Sequence, residues 1–325
     1  MSVAAAKRVV SRAKLLARAL EYDEQSVTSE EPVWLPRMVT RLEQRIAGPS
    51  TGHEFRMALE QVGRSVARRS GYLVISGATA DARGVRDGCT LECLAGKVFE
   101  QDNLVKVARC QEDGTEWRRA GTVDSGYFWA TCHAVWGQLA TGLEVQGREG
   151  LDLLGLCEMR DGNGMSGRRS YEYKYLPHAL NSLLRAGEPT ADLLTAFEEA
   201  VPLQTLPAVW HDDQAFAAML DEACDWHLRE TYPGLEYIAG MSLFPSWLFA
   251  LDRYRAQRVG RSCLPDHPLM VYGKRLLAAD FTGPEHPLVS EAKAEYSRRY
   301  GDSTVDDFKS QWRTLLDEEQ QRSGS

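Results

Sequence analysis

Histidine beside aspartate is the pairing in this chain with the most chemical potential. It occurs as His211-Asp212-Asp213. An imidazole flanked by carboxylates can ligate a divalent cation, and His227 could add a further ligand, as in metal-dependent helical hydrolases. Such sites gather ligands from several helices, and the chain holds only seven His. Capping accounts for the same residues: Asp212 or Asp213 stands where a helix begins, and acids favour the positive helix N-terminus. No metal and no cofactor are therefore expected. Cys132-His133 has the composition of a nucleophile and a base, but neighbours on one helix point about 100° apart. Gly162, Gly164 and Gly167 have the spacing of a dinucleotide-binding loop. The flanking Arg160-Asp161 and Arg168-Arg169 do not supply the strand and helix that such a loop needs, so a flexible link is expected there. Neither a phosphate loop of the Gly-x-x-x-x-Gly-Lys type nor a Gly-x-Ser-x-Gly elbow occurs.

Charge is more informative than any motif. From Gly187 to Glu236 there are eleven acids and one base, Arg229, so 50 residues carry −10 while the whole chain carries −8. A solvated helix face would explain this. It would also suit docking of a basic partner, where acids speed association and fix register. The candidate partner-binding residues are Asp212, Asp213, Asp221, Glu222, Asp225 and Trp226, the last as a buried anchor or as plain core. A pI near 5.5 argues against nucleic acid as the main partner, since phosphate binding needs clustered Lys and Arg. Seven scattered Cys read as reduced thiols in a cytoplasmic compartment. The opening lacks the continuous apolar stretch of a signal peptide, and no membrane partner is expected.

The elements that must position these residues read as helices. Val9, Ala13, Leu16 and Leu20 share one face of a first helix ending near Glu21. An acidic link closed by Pro32 follows, so residues 1–31 could be peripheral. Leu35, Met38, Val39, Leu42 and Ile46 form the stripe of a second helix. Thr51 and Glu54 have capping-box spacing ahead of a third. Tyr72 to Ile75 fits either a short strand or a helix end, and the small residues from Ala78 to Gly88 fit a loop. Over 104–119, Val105 and Val107 alternate with polar neighbours, and Asp113-Gly114 is a hairpin turn pair, so a small β-hairpin anchored by Trp117 is expected. A buried helix follows around Tyr127, Phe128, Trp129, His133, Trp136 and Leu139.

Asp213 to Glu230 should form a helix with Phe216, Leu220, Ala223, Cys224 and His227 on one face. Leu235 to Leu251 is the most apolar stretch and should be the hub, with a buried helix from Ser246. Further helices are expected at Leu269–Ala279, from about Val289, and from Ser303, which Asp306 would help to cap. Residues 321–325 should fray. The expected architecture is one mostly α-helical domain over 1–325 with one small hairpin.

Several features together resemble the immunity protein 49 family, helical proteins of bacterial polymorphic-toxin systems. They are the Trp-bearing helix around Trp129 and Trp136, the entry Tyr171, Tyr173 and Tyr175 into a helix with Ala179-Leu180, and the Pro245-to-Leu251 helix. The loop Leu264-Pro265-Asp266-His267-Pro268 follows. The likeness covers about residues 50–280. It implies a cytoplasmic, non-enzymatic antidote that binds and occludes a cognate toxin, and the acidic span suits a basic toxin. The alternatives are the hydrolase built on His211, Asp212 and His227, and a helical interaction scaffold.

Overall fold

The computed structural model describes residues 11–115, 128–161, 180–181, 183–185, 203–230 and 243–323. About 81 % of the interpretable chain is helical. Among the described residues the sole β-type pairing is an isolated parallel bridge between Asp81 and Asp280. The helices are α1 (Arg12–Gln25), α2 (Glu31–Ala47), α3 (Gly52–Ile75), α4 (Arg83–Glu112), α5 (Phe128–Thr141) and α6 (Glu144–Asp161). After them come the short α7 (Leu206–Val209), α8 (Asp213–Glu230), α9 (Ser246–Val259), α10 (Pro268–Leu277), α11 (Pro287–Tyr300) and α12 (Val305–Ser323).

The spine is α4, whose 30 residues span about 45 Å at the usual helical rise. It enters three apolar clusters in turn. Val85 and Cys89 join the main core. Leu91, Leu94, Ala95, Val98 and Phe99 pack with α2, α3 and α11. Leu104 and Val107 meet α6 and α12 around Phe308 and Trp312. A helix buried on several sides loses the one-sided stripe that periodicity detects.

The expected hairpin is not there. Residues 104–112 are the last turns of α4. Val107 is buried and Val105 exposed, a contrast that suits a helix, where residues two apart lie on opposite sides, and not a strand, where they share a face. Asp113 is the C-cap and Gly114 takes φ +66. The Gly114 amide donates to Gln111 and the Thr115 amide to Cys110, the paired bonds of a Schellman stop. Asp-Gly supplies the left-handed glycine that both a hairpin turn and this stop need, and here it ends a helix. Residues 116–119, with Trp117, lie outside the described residues.

Two further expectations are corrected. Of the two alternatives for Tyr72 to Ile75 the helix end is the one found, as the last residues of α3; the Gly-rich stretch expected as loop from Ala78 to Gly88 is loop only up to Ala82. Gly84 and Gly88 belong to α4 because α3 crosses closely: a Cβ on Gly88 would lie 2.4 Å from the Gly63 carbonyl, and one on Gly84 would lie 2.7 Å from Ser70. The acidic link is also helical. Ser26–Glu30 forms a π turn that joins α1 to α2 directly. Pro32 and Pro36 withhold the amides that would bond back one turn, and Thr28 Oγ1 donates to the Glu24 carbonyl at 2.7 Å.

Nor is α1 peripheral to the packing. Leu15 and Ala19 belong to the main core. Asp23 is buried and accepts from the Leu243 amide at 3.1 Å.

Other expectations hold. Thr51 and Glu54 form a complete capping box. α9 starts at Ser246 and buries Trp247, Leu248, Phe249 and Leu251. Residues 235–242 of the apolar run lie outside the described residues. The cap of α12 is shifted by one from the expected pair: Thr304 Oγ1 accepts from the Asp307 amide and Asp307 accepts from the Thr304 amide. No helix among the described residues is long and apolar enough to cross a membrane.

Candidate functional site

The acid-rich α8 begins where the sequence predicts. Asp212 Oδ1 accepts from the amides of Gln214 and Ala215, both at 3.0 Å, so this carboxylate is a helix cap. Asp213 is tied inward. Arg255, fully buried on α9, donates to Asp213 at 2.6 Å and to the Trp210 carbonyl at 2.7 Å. Its guanidinium also stands 4.4 Å over the Phe216 ring. Exposed Arg261 pairs with the other Asp213 oxygen. A buried guanidinium is tolerable only with this degree of pairing.

Farther along α8, Asp221, Cys224, Asp225 and Leu228 lie on one face at i, i+3, i+4 and i+7 spacing. α1 packs on α8. Arg12 places a fork on the two acids: Nε to Asp225 at 2.8 Å, Nη2 to Asp225 at 2.7 Å and Nη2 to Asp221 at 2.9 Å. These bonds hold the Asp225 carboxyl below its ordinary range and raise the Arg12 guanidinium. Burial, with Asp221 and Asp225 close by, pushes the Cys224 thiol far up, so it is an inert packing group.

Asp225 is held from its other side by His267. The His267 Nδ1 accepts from the Leu269 amide at 3.0 Å and so caps α10. With Nδ1 an acceptor, Nε2 carries the proton and donates to Asp225 at 3.3 Å. Burial lowers the His267 pKa, and Asp225 opposes that only in part. This His–Asp pair resembles a catalytic dyad, but the nitrogen a base would use is taken by the cap.

The remaining candidates separate. Glu222 is exposed. Trp226 is half-buried and meets Trp247 edge-on, with centroids 5.9 Å apart, so it sits at the rim of the core. His227 is buried, and its Nδ1 accepts from Trp247 Nε1 at 3.4 Å. His211 is exposed before the helix. The two histidines are thus roughly 20 Å apart along α8, and the His211–Asp212–His227 set does not converge. Among the described residues no group of three His, Cys, Asp or Glu is placed to hold a metal ion. Cys132 is buried and receives the Asn181 amide at 3.4 Å. Gly162, Gly164, Gly167 and Tyr171, Tyr173 and Tyr175 lie outside the described residues.

The residues that sequence reasoning missed are the partners of the acids: Arg12, Arg255, Arg261 and His267. One signal could have revealed the last. Asp266-His267-Pro268-Leu269 recurs as Glu285-His286-Pro287-Leu288, and each His caps its helix by accepting from the Leu amide. Three of the six candidate residues, Asp213, Asp221 and Asp225, are engaged within the chain, and Asp212 is a cap. Glu222 is left as the exposed acid whose helix makes no other use of it in the described contacts. No protein-family model, no curated protein and no solved structure matches the chain.

Proposed function

We propose that this chain is a non-enzymatic immunity-type protein that binds and occludes a basic toxin through the acid-rich face of α8. One observation carries the reading: Asp221 and Asp225 are arranged to receive a guanidinium fork, as the Arg12 contacts demonstrate within the chain. Bidentate arginine–carboxylate pairing is the geometry that a basic partner would use. Glu222 extends the same negative field into solvent. The resemblance to the immunity protein 49 family adds the toxin as the class of partner.

The test is co-expression with the toxin encoded beside this chain, together with complex formation by the purified proteins. Rescue of growth and a stable complex are expected. Absence of both sinks the reading. Charge reversal at Asp221, Glu222 and Asp225 should slow association and make it less salt-sensitive.

A helical scaffold without a toxin partner is the second reading. Val33 and Trp34 favour it, being 52 % and 54 % exposed at the start of α2, with Arg37 5.9 Å over the Trp34 ring. Retention of a non-toxin protein through this corner, lost on Trp34→Ala, would select it.

A further inference from the structure

The acids of α8 are not an empty face. α1 and α8 meet through complementary stripes. On α1, Arg12, Leu15, Leu16, Ala19 and Asp23 share one side. On α8 the facing stripe is Asp221, Cys224, Asp225 and Leu228. The charged end of α1 is matched by the two carboxylates, and its apolar middle lies in the core with Cys224 and Leu228. An amphipathic helix laid into a groove through anchors at i, i+3, i+4 and i+7 is a recurring mode of protein recognition.

Two features make the occupant exchangeable. The Arg12 fork is partly open to water: the side chains of Arg12, Asp221 and Asp225 are 39 %, 34 % and 25 % exposed. Such pairs are screened by salt. In addition, α1 buries only Leu15, Ala19 and Asp23 among its fourteen residues, and its lower end runs into the π turn at Ser26–Glu30. Asp23, bonded to the Leu243 amide, is the fixed anchor. The turns above it carry the Arg12 fork at their outer end, with Leu15 and Ala19 in the core and Leu16 and Leu20 packed against it.

We propose that this stripe of α8 is a helix-binding groove filled in the free chain by α1, which a partner's arginine-bearing amphipathic helix displaces. The partner helix would carry an arginine three and four residues before apolar side chains, with a small residue one turn farther on. α1 then acts as a built-in competitor. It shields the groove from weak basic helices and yields to one that binds more tightly, since affinity for a site already filled is reduced by the fraction open. The inference rests on the proposed function only for the identity of the displacing partner.

The test uses the full chain and a labelled peptide of residues 11–25. Arg12→Glu should open the groove. Fluorescence anisotropy should then show the peptide binding that variant roughly tenfold or more tighter than wild type. Binding should weaken with salt and be lost when Asp225→Lys is added or when the peptide carries Arg12→Ala. Hydrogen exchange should accelerate in residues 12–25 of Arg12→Glu while α4 and α9 keep their protection.

Three outcomes overturn the proposal: no peptide binding by Arg12→Glu with α4 and α9 protected, equal binding by wild type, or loss of protection throughout the variant. No toxin enters this experiment. A failed co-expression beside a positive peptide result would therefore remove the toxin reading and leave the groove.

Discussion

Two buried regions of this molecule handle polar groups in different ways. Around α8, α9 and α10 they are partnered. Arg255 has the Trp210 carbonyl, Asp213 and Cys263. Asp252 accepts from Ser262 Oγ at 2.6 Å and from the Cys263 amide at 2.8 Å. Tyr254 donates to the Leu183 carbonyl at 2.9 Å, and His267 bonds at both nitrogens. Trp210 Nε1 is an exception, and the second Asp213 oxygen has its ion pair with Arg261 but no hydrogen bond.

Along α4 pairing is uneven: Asp87 accepts from Arg86 and from the His286 amide, and Glu100 from Trp312 Nε1, but other groups are less well matched. Both amide atoms of Asn103 lack a hydrogen-bond partner, and the residue is fully buried. Glu92 is driven up to about 8, chiefly by burial, with Arg64 opposing that only in part. A partnered network resists change at each member, whereas a carboxyl whose pKa is displaced by burial makes stability depend on pH. The two regions should therefore fail under different conditions.

The largest effect should come from the hub. Trp247→Ala removes a fully buried indole and should cost roughly 3–5 kcal/mol in denaturant unfolding. A loss below about 1 kcal/mol would mean that α9 is not the centre of the packing.

Next is Gly88→Leu. The close approach of Gly88 to the Gly63 carbonyl leaves no room for a side chain, and overpacking should cost about 1–3 kcal/mol or more. Unchanged stability would contradict the close crossing of α3 and α4.

The pH dependence separates the regions most sharply. The Glu92 carboxyl is raised in the folded chain, so its contribution is present below about 4.5 and is lost as pH rises through about 8. Each pH unit of displacement is worth ~1.4 kcal/mol. Glu92→Gln should flatten the alkaline limb of the stability profile and leave the acid limb alone. His267 has the reverse sign. Its pKa is lowered, so its contribution is present above 6.5 and is lost as pH falls through the folded value. His267→Asn, which keeps a cap acceptor, should flatten the acid limb below pH 6.5. Exchange of the two outcomes would invert the comparison.

The smallest effect is at the helix stop. Gly114→Ala forces a Cβ onto a left-handed residue and should cost about 1 kcal/mol in thermal or denaturant unfolding. No loss would argue against the Schellman geometry.

The sequence was most legible where one face of a helix is wet. The stripe of α2, the capping box at Thr51 and both ends of α8 could be read from spacing because water enforces the contrast between faces. α4 was not legible over its full length, since it is covered on several sides and its glycines serve close packing where glycine usually signals a turn. The hairpin expectation failed for a related reason: Asp113-Gly114 reports the need for one left-handed residue and says nothing of what precedes it. The acids of α8 could be counted but not their partners. Arg12 lies 213 residues from Asp225, and nothing local to either residue predicts that they meet.

The π turn at Ser26–Glu30 sets the rotational phase between two helices that would otherwise be one rod. α2 turns its stripe toward α3 and α11, while α1 turns its own toward α8. One residue more or fewer in that turn rotates everything upstream by about 100°. A single deletion there would straighten the rod and swing Arg12 away from Asp221 and Asp225 without touching any of the three. The alignment of the N-terminal helix is thus encoded by chain length at one turn as much as by the residues that make the contact.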